Sequence, residues 1–330
     1  MGYDGRIMRL AQQRLAEAND RRSAAFHEKQ RALYAREPRL QEIDNELSQT
    51  LGKIVASAFR RGPDPRPAIE ALREANLQLQ EERADLLERL GFERDALEPK
   101  PNCPQCEDRG WIGDEVCSCL REYYVRIQNE ELSQMLDLGT QSFETFGFEY
   151  YSELPEFGQS VSPRTNIEKI YDTCRDYANE FSAKSGNLLF SGEPGLGKTF
   201  LSASIARVVS ENGNSVVYDT ATHIFSRMEM KKFNRDDGEM PASDDVERYF
   251  KCDLLILDDL GTEMNTAFVK SAFYELVNSR LIQGKKTIVS TNLSPDEIGE
   301  RYGAAVLSRI RGEYRILPFF GEDIRRMSKK

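Results

Sequence analysis

Eight residues, Gly192-Glu193-Pro194-Gly195-Leu196-Gly197-Lys198-Thr199, have the G-x4-G-K-T spacing of a phosphate-binding loop. Its glycines let backbone N–H groups turn inward around phosphate oxygens. Lys198 can neutralise the β- and γ-phosphates, and the Thr199 hydroxyl can bind Mg²⁺. The surroundings agree with this chemistry. Leu188-Leu189-Phe190 precede the loop as an apolar strand, and a helix is expected from near Lys198 through Ala206. The N-terminus of that helix adds positive dipole where phosphate would lie. A glycine-rich turn without a ligand rarely has this strand, loop and helix around it. The expected ligand is ATP with Mg²⁺.

Roughly 60 residues later comes Leu254-Leu255-Ile256-Leu257-Asp258-Asp259. Four apolar residues ending in two carboxylates describe a buried strand that delivers acids at its C-terminal edge, where open α/β sheets bind ligands. Asp258 is the candidate Mg²⁺ ligand, and Asp259 the group that orients and activates an attacking water. Glu is common at the second position; the shorter Asp leaves hydrolysis open but bears on its rate. The strand Thr287-Ile288-Val289-Ser290 runs into Thr291-Asn292, and Asn292 is the candidate to position water beside the γ-phosphate. Alone, Thr-Asn after a strand is more often a turn; its order behind the first two motifs gives it weight. Two arginine groups follow, Arg309 and Arg311 in Ser308-Arg309-Ile310-Arg311, and Arg325-Arg326 after Gly321-Glu322-Asp323-Ile324. A surface charge is the ordinary reading of any one of them. A cation that reaches a γ-phosphate, however, carries a large rate factor.

Four of the six cysteines form Cys103-x2-Cys106-x10-Cys117-x-Cys119. Two close thiolate pairs suit tetrahedral zinc, and in a reducing compartment such clustering argues for metal rather than disulfides. Gly110 and Gly113 between the pairs suit a short hairpin. A redox dithiol is the main rival, although it needs one reactive pair and not two. An iron–sulfur cluster is a less favoured third reading. A zinc here would be structural, stapling a segment that has almost no core. Cys174 and Cys252 read as buried thiols, and His27 and His223 show no ligand spacing.

These residues need elements to hold them. From about Ile167, strands expected at Asn187–Ser191, Ser215–Asp219, Leu254–Asp258, Lys286–Ser290 and Tyr314–Pro318 alternate with helical patterns. Such alternation implies an α/β fold with a parallel five-stranded sheet covered on both faces. Residues 234–245 read as a mobile loop. The first 95 residues read as helical: Leu40, Ile43, Leu47, Leu51, Ile54, Val55 and Phe59 form one stripe, Arg61–Pro67 is a break, and Ile69 to Leu90 form a second periodic run. A helical hairpin or small bundle, preceded by a charged helix over Arg6–Ala35, is the simplest model. An intramolecular arm and a partner-docking surface explain it equally well. The expected organisation is thus a helical region at 1–95, the cysteine module with a following helix at 96–137, a linker at 138–165 and the P-loop domain at 166–330.

The 330 residues carry a net charge of −10. Residues 1–100 hold 18 basic and 18 acidic side chains, so the whole excess falls on the rest. No segment is a basic domain, and nucleic-acid contact would need a local patch or assembly. No apolar run approaches the ~18 residues of a membrane span, and the N-terminus lacks the apolar stretch of a signal peptide. A cytoplasmic protein without membrane partners is expected.

The motif order resembles the DnaC/DnaI-type helicase loaders, members of the AAA+ ATPases alongside the IstB-type transposition helpers. It runs Gly-Glu-Pro-Gly-Leu-Gly-Lys-Thr, Leu-Leu-Ile-Leu-Asp-Asp-Leu-Gly, Ser-Thr-Asn, Ser-Arg-Ile and Gly-Glu-Asp-Ile-Arg. The motifs cover roughly residues 165–330. The Asp-Asp-Leu-Gly run, the terminal Arg-Arg and the cysteine module look most similar to the DnaI side. The resemblance implies that Gly192 to Thr199 are Walker A, Asp258 and Asp259 Walker B and Asn292 sensor 1. It further implies that Arg309 is an arginine finger acting on a neighbouring subunit and Arg325 is sensor 2. It implies an ATPase that assembles into a homo-oligomer with ATP, contacts single-stranded DNA and grips a hexameric DnaB-type replicative helicase through its N-terminal region. The rivals are an ATPase assisting a transposase on duplex DNA, and an adaptor that uses ATP as an assembly switch with little turnover.

Overall fold

In a computed structural model of the chain, residues 3–58, 66–136, 141–155, 160–233 and 242–326 are described. The expected break at Arg61–Pro67 lies outside them, apart from Arg66 and Pro67. So do residues 234–241 of the expected loop, whereas residues 242–245 begin a helix. The elements run α1 (Gly5–Arg36), α2 (Pro38–Ala58), α3 (Arg66–Arg89), β1 (Trp111–Ile112), β2 (Glu115–Val116), α4 (Ser118–Leu136), α5 (Pro163–Asn179), β3 (Asn187–Ser191), α6 (Lys198–Glu211), β4 (Val216–Thr220), α7 (Ala221–Lys232), α8 (Ala242–Lys251), β5 (Leu254–Leu260), α9 (Ala267–Ile282), β6 (Lys286–Thr291), α10 (Pro295–Tyr302), α11 (Ala304–Glu313) and β7 (Tyr314–Pro318). They fall into two compact units, Gln13–Cys119 and Met1–Gln12 with Leu120–Lys330.

The first unit is built on a helical hairpin. Pro38 starts α2 one residue after α1 stops; a proline at the first helical position gives up an N–H that the helix would not use. Leu33, Leu40, Ile43, Leu86, Leu87 and Leu97 form its buried core. Around that core, charges tie helix to helix. Arg39 donates to both carboxylate oxygens of Glu82 at 2.8 and 3.0 Å, and Arg83 to Asp44 at 2.8 Å.

The second unit is a sheet with helices on both faces. Its five strands lie in the order β4-β5-β6-β3-β7, and every pairing is parallel. Successive side chains of a strand point to opposite faces. Leu188, Phe190, Leu254, Ile256 and Ile288 therefore enter one core with α5 and α6, while Leu189, Leu255, Leu257 and Val289 enter the other with α7 to α11. Strands covered on both sides need continuous apolar runs, and Leu254–Leu257 is one. The first core also takes in Phe143 and Tyr151, with Phe146, Phe148 and Tyr150 packed against it.

The edge strand β4 is guarded by α4. The buried Gln128 accepts from the Val216 N–H at 3.0 Å and donates to the Asn214 carbonyl and the Ser210 hydroxyl. At the amino end of the central strand β6 lies Arg280, fully buried on α9. Its fork donates to the Tyr249 carbonyl at 2.6 Å, the Lys286 carbonyl at 2.5 Å and the Thr287 hydroxyl at 2.9 Å. Arg280→Ala should cost about 3 kcal/mol or more, because a cavity forms and buried acceptors lose their donors. Arg280→Lys should recover little, since an ammonium cannot reproduce the planar fork. Urea unfolding would read both; a lysine variant with wild-type stability would contradict the role given to the fork.

Candidate functional site

A parallel sheet brings the carboxyl ends of its strands to one edge. Here β5, β6 and β3 are consecutive neighbours, so the segments that leave their carboxyl ends must meet. The phosphate loop leaves β3, the acid pair ends β5 and Asn292 lies just past β6. Together Pro194, Gly195, Gly197, Lys198, Thr199, Asp259, Asn292 and Arg325 line a cavity of about 360 Å³, which Gln141, Phe200, Thr262 and Ile324 complete.

The loop is shaped by close approach. Gly195 has φ of 80°, and a Cβ there would lie 1.8 Å from a carboxylate oxygen of Asp323. The Ile324 N–H donates to the Gly195 carbonyl at 3.0 Å, and Arg325 donates to Asp323 from its backbone N–H and its Nε. The Gly-Glu-Asp-Ile-Arg segment thus seats directly on the phosphate loop. On the other side the Tyr151 hydroxyl donates to the Leu196 carbonyl at 3.1 Å, with Phe146 stacked against Tyr151 and edge-on to Phe200. Residues 143–151, placed by the sequence reading in a linker, are packed against the loop.

Asp258 is buried and takes hydrogen bonds from three elements. Thr199 Oγ1 donates to Oδ2 at 3.1 Å, Tyr218 OH to Oδ2 at 2.6 Å and Ser290 Oγ to Oδ1. Burial and the Asp258 charge hold the Tyr218 hydroxyl above its usual range. Asp259 is exposed toward the cavity; its backbone sits at φ of 54° and its N–H donates to Ser290 Oγ at 3.1 Å. Burial first, and then the Asp258 charge, push its carboxyl pKa up, against the pull of Lys198 and Arg325. The Lys198 ammonium donates to the carbonyls of Gly192 and Glu193 at 2.6 and 2.8 Å, and burial lowers its pKa. Thr199 and Asp258 offer adjacent oxygens of the kind Mg²⁺ takes. Two expected residues stand apart. Arg309 is exposed on α11 with its guanidinium on Asn278 Oδ1 at 3.0 Å, and does not line the cavity. The side chain of Arg326 lies outside the described residues.

The four cysteines of the module lie together, their sulfurs within 4.8 Å of one another. Cys103 and Cys117 are 3.6 Å apart, Cys106 and Cys119 3.4 Å. Sulfurs at the corners of a zinc tetrahedron would be about 3.8 Å apart, so the donor set fits. The Gly110 N–H points at the Cys106 sulfur at 3.2 Å, and the Cys119 backbone N–H leads the hydrogen bonds that lower the Cys117 thiol to about 7. β1 and β2 form the hairpin between the pairs. The sequence reading did not single out Asp108. Its carboxylate accepts from the N–H groups of Asn102 and Cys103 and pairs with Arg22 at 2.9 Å.

The raised Asp259 value carries a pH dependence. An acid that binds its proton more tightly when folded loses native stability as pH rises through the carboxylate range. Asp259→Asn, studied without nucleotide or magnesium, should therefore melt higher than wild type at neutral pH. The gain should shrink as pH falls toward the ordinary Asp value of about 3.9. Calorimetry across pH checks this; a pH-independent difference would rule out the charge as its cause.

Residues 168–330 match the family model described as IstB-like ATP binding protein. The replicative helicase loader DnaC of Escherichia coli (strain K12) is 29% identical over 137 residues, spanning 42% of this chain and 55% of that protein. DnaC of Buchnera aphidicola subsp. Baizongia pistaciae (strain Bp) is 25% identical over 146 residues, spanning 44% and 58%. The chain thus spans about half the length of the curated relatives it matches. Among solved structures, a DnaC helicase loader aligns with a TM-score of 0.45 at 20% identity, covering 56% of this chain and 99% of that one. DnaI aligns at 0.44 and 19% identity, covering 58% and 93%. With its phosphate loop, acid pair and parallel sheet, the second half of this chain has a P-loop α/β fold, matches the IstB-like ATP binding protein model, and is similar in sequence to the DnaC helicase loaders.

Proposed function

We propose that this protein is an ATP-dependent loader that places a DnaB-type hexameric replicative helicase onto single-stranded DNA in the cytoplasm during replication initiation. The observation that carries the reading is the single cavity in which Lys198, Thr199, Asp259 and Asn292 converge, beside the buried Asp258, within a domain similar to DnaC. Among the described residues no helix is long and apolar enough to cross a membrane.

ATP is the substrate of this reading. Gly192 to Thr199 hold its phosphates, and Lys198 moves from the loop carbonyls to phosphate oxygens, exchanging one set of acceptors for a more charged one. Thr199 and Asp258 hold Mg²⁺, which neutralises charge on the β- and γ-phosphates. Asp259 accepts the proton of the attacking water, and the upward shift of its carboxyl pKa makes it a stronger base than an ordinary aspartate. Asn292 orients the water, and Arg325, beside the loop, contacts the γ-phosphate. Arg309, exposed and away from the cavity, completes the site of a neighbouring subunit in a homo-oligomer, so ATP favours assembly. Residues 1–95 dock the helicase, and the module at 96–137 holds a structural zinc on Cys103, Cys106, Cys117 and Cys119.

The family model gives one rival a specific footing, an ATPase that assists a transposase on duplex DNA. The two separate by partner. The purified chain should retain its cognate replicative helicase in a pull-down, and a chain deleted for residues 1–137 should not. Retention of duplex DNA and transposase instead would favour the rival. ATP turnover in the presence of single-stranded DNA should fall about a hundredfold or more in Asp259→Asn. Unchanged turnover would remove Asp259 as the base and leave an assembly switch. Metal analysis should find about one zinc per chain; no zinc together with freely reactive thiols would refute the site.

A further inference from the structure

Five residues past Asp258, a carboxylate that no motif accounts for lies buried in the loop leaving β5. Glu263 is 6% exposed. One of its oxygens accepts from the Gly261 N–H at 2.9 Å. The other accepts from the Tyr302 hydroxyl and lies 3.4 Å from the Arg301 guanidinium, which also donates to the Glu263 carbonyl. Both ends of this contact lead to the reaction centre. Gly261 sits two residues beyond Asp259, and the Thr262 hydroxyl between Gly261 and Glu263 turns back to the Asp259 carbonyl at 2.8 Å. A Cβ on Gly261 would lie 3.3 Å from the Asn292 side-chain oxygen. At the other end, Arg301 and Tyr302 close α10, and Gly303 passes directly into α11, which carries Arg309. α10 and α11 are pressed together: a Cβ on Gly299 would lie 2.6 Å from the Leu307 side chain. The direction of α11 therefore depends on where Arg301 and Tyr302 are held.

We propose that Glu263 is a positioning residue that locks the Asp259–Gly261 turn to the α10–α11 pair, so that the water-activating carboxylate and the arginine offered to a neighbouring subunit are set by one buried anion. This rests on the reading of Asp259 and Arg309 given above. A carboxylate is needed because it alone can accept from the Gly261 N–H, the Tyr302 O–H and the guanidinium together. A glutamine fills the same volume but turns one acceptor into an amide donor, which must face either the Gly261 N–H or the hydroxyl and the cation, so one side of the contact is lost in either orientation. The turn and the helix pair would then lose their common anchor, while Lys198, Thr199 and the phosphate loop stay as they are.

Steady-state ATP turnover of the full chain with single-stranded DNA tests this in wild type, Asp259→Asn, Glu263→Gln and Tyr302→Phe. Misplacing a catalytic group by a fraction of an ångström predicts that kcat falls about tenfold in Glu263→Gln, with KM for ATP within about twofold. Tyr302→Phe removes one hydroxyl from the cluster and should lower kcat by a smaller factor with the same KM. It carries the test if Glu263→Gln does not fold, as judged by circular dichroism. An unchanged kcat in a folded Glu263→Gln, or in Tyr302→Phe if only that variant folds, overturns the proposal, provided Asp259→Asn is impaired. Joint loss of kcat and ATP affinity also overturns it, since that pattern marks a general structural role. If wild type shows no turnover, or Asp259→Asn equals wild type, the ATPase reading itself has failed and the proposal fails with it.

Discussion

A carboxylate withdrawn from water has to be given donors, and Asp258 sets that demand at the centre of this domain. It is 4% exposed, and an uncompensated anion at such a depth would shed its charge or unfold its surroundings. Its donors come from three separate places: Tyr218 on β4, Ser290 on β6 and Thr199 at the start of α6. Those elements meet only because β4 and β6 flank β5 and β3 lies beyond β6. The sheet order and the solvation of one anion are therefore the same constraint seen from two sides. Ser202 extends it, its hydroxyl lying 3.2 Å from that of Tyr218, so the phosphate-loop helix reaches Asp258 directly through Thr199 and again by way of Tyr218 on β4.

The phosphate loop has its own enclosure. Asp323 and Ile324 lie against Gly195, and Tyr151 binds the Leu196 carbonyl. These partners come from before and after the loop in the chain, so the loop's shape depends on segments that carry no phosphate chemistry. An anion pressed against a loop built to receive phosphate is unfavourable unless it is itself held, and Arg325 holds it through two hydrogen bonds. The terminal segment thus places a cation beside the loop and neutralises the acid that seats it.

The strands could be read from sequence because fully buried parallel strands are short apolar runs, and Asn187–Ser191 occurs where such a run predicted; the edge strand Tyr314–Pro318 also occurs where expected, although Arg315 and Pro318 are exposed. β5 ran two residues further than expected, through Leu260, because Leu260 pairs with Thr291 after a register shift in the β5–β6 ladder, while Asp258 still pairs with Thr220 of β4. The phosphate loop and the acid pair were legible because their chemistry needs fixed residue types at fixed spacing. Tyr218, Ser290, Tyr151 and Glu263 were not, since each acts on a residue far away in sequence and any polar side chain at those positions reads locally as a turn or a strand interruption. Asp108 had a local signal, an acid just after the first cysteine pair. A carboxylate in a turn at φ of 64° that gathers two N–H groups is a known way for Asp to stabilise a tight loop. Arg309 differs in kind: among the described residues its guanidinium hydrogen-bonds Asn278 and does not line the cavity, so the role proposed for it depends on a second chain.

Asp259 is where local sequence and local structure depart furthest from a simple strand. A non-glycine residue at φ of 54° costs about 1 kcal/mol or more, but Asp is among the side chains that tolerate the left-handed region best. Glutamate at this position would reach further into the cavity yet would sit less well in that turn. The shorter acid and the strained backbone therefore belong together: the left-handed step at Asp259 falls where the β5–β6 register shifts between Leu257 and Leu260, and its side chain lines the cavity. Strain of this kind persists only where neighbours over-determine it. Here the Ser290 hydroxyl accepts the Asp259 N–H, and the Thr262 hydroxyl donates to its carbonyl. The residue that looked weakest as a catalyst by length is the one whose backbone the surrounding structure holds most explicitly.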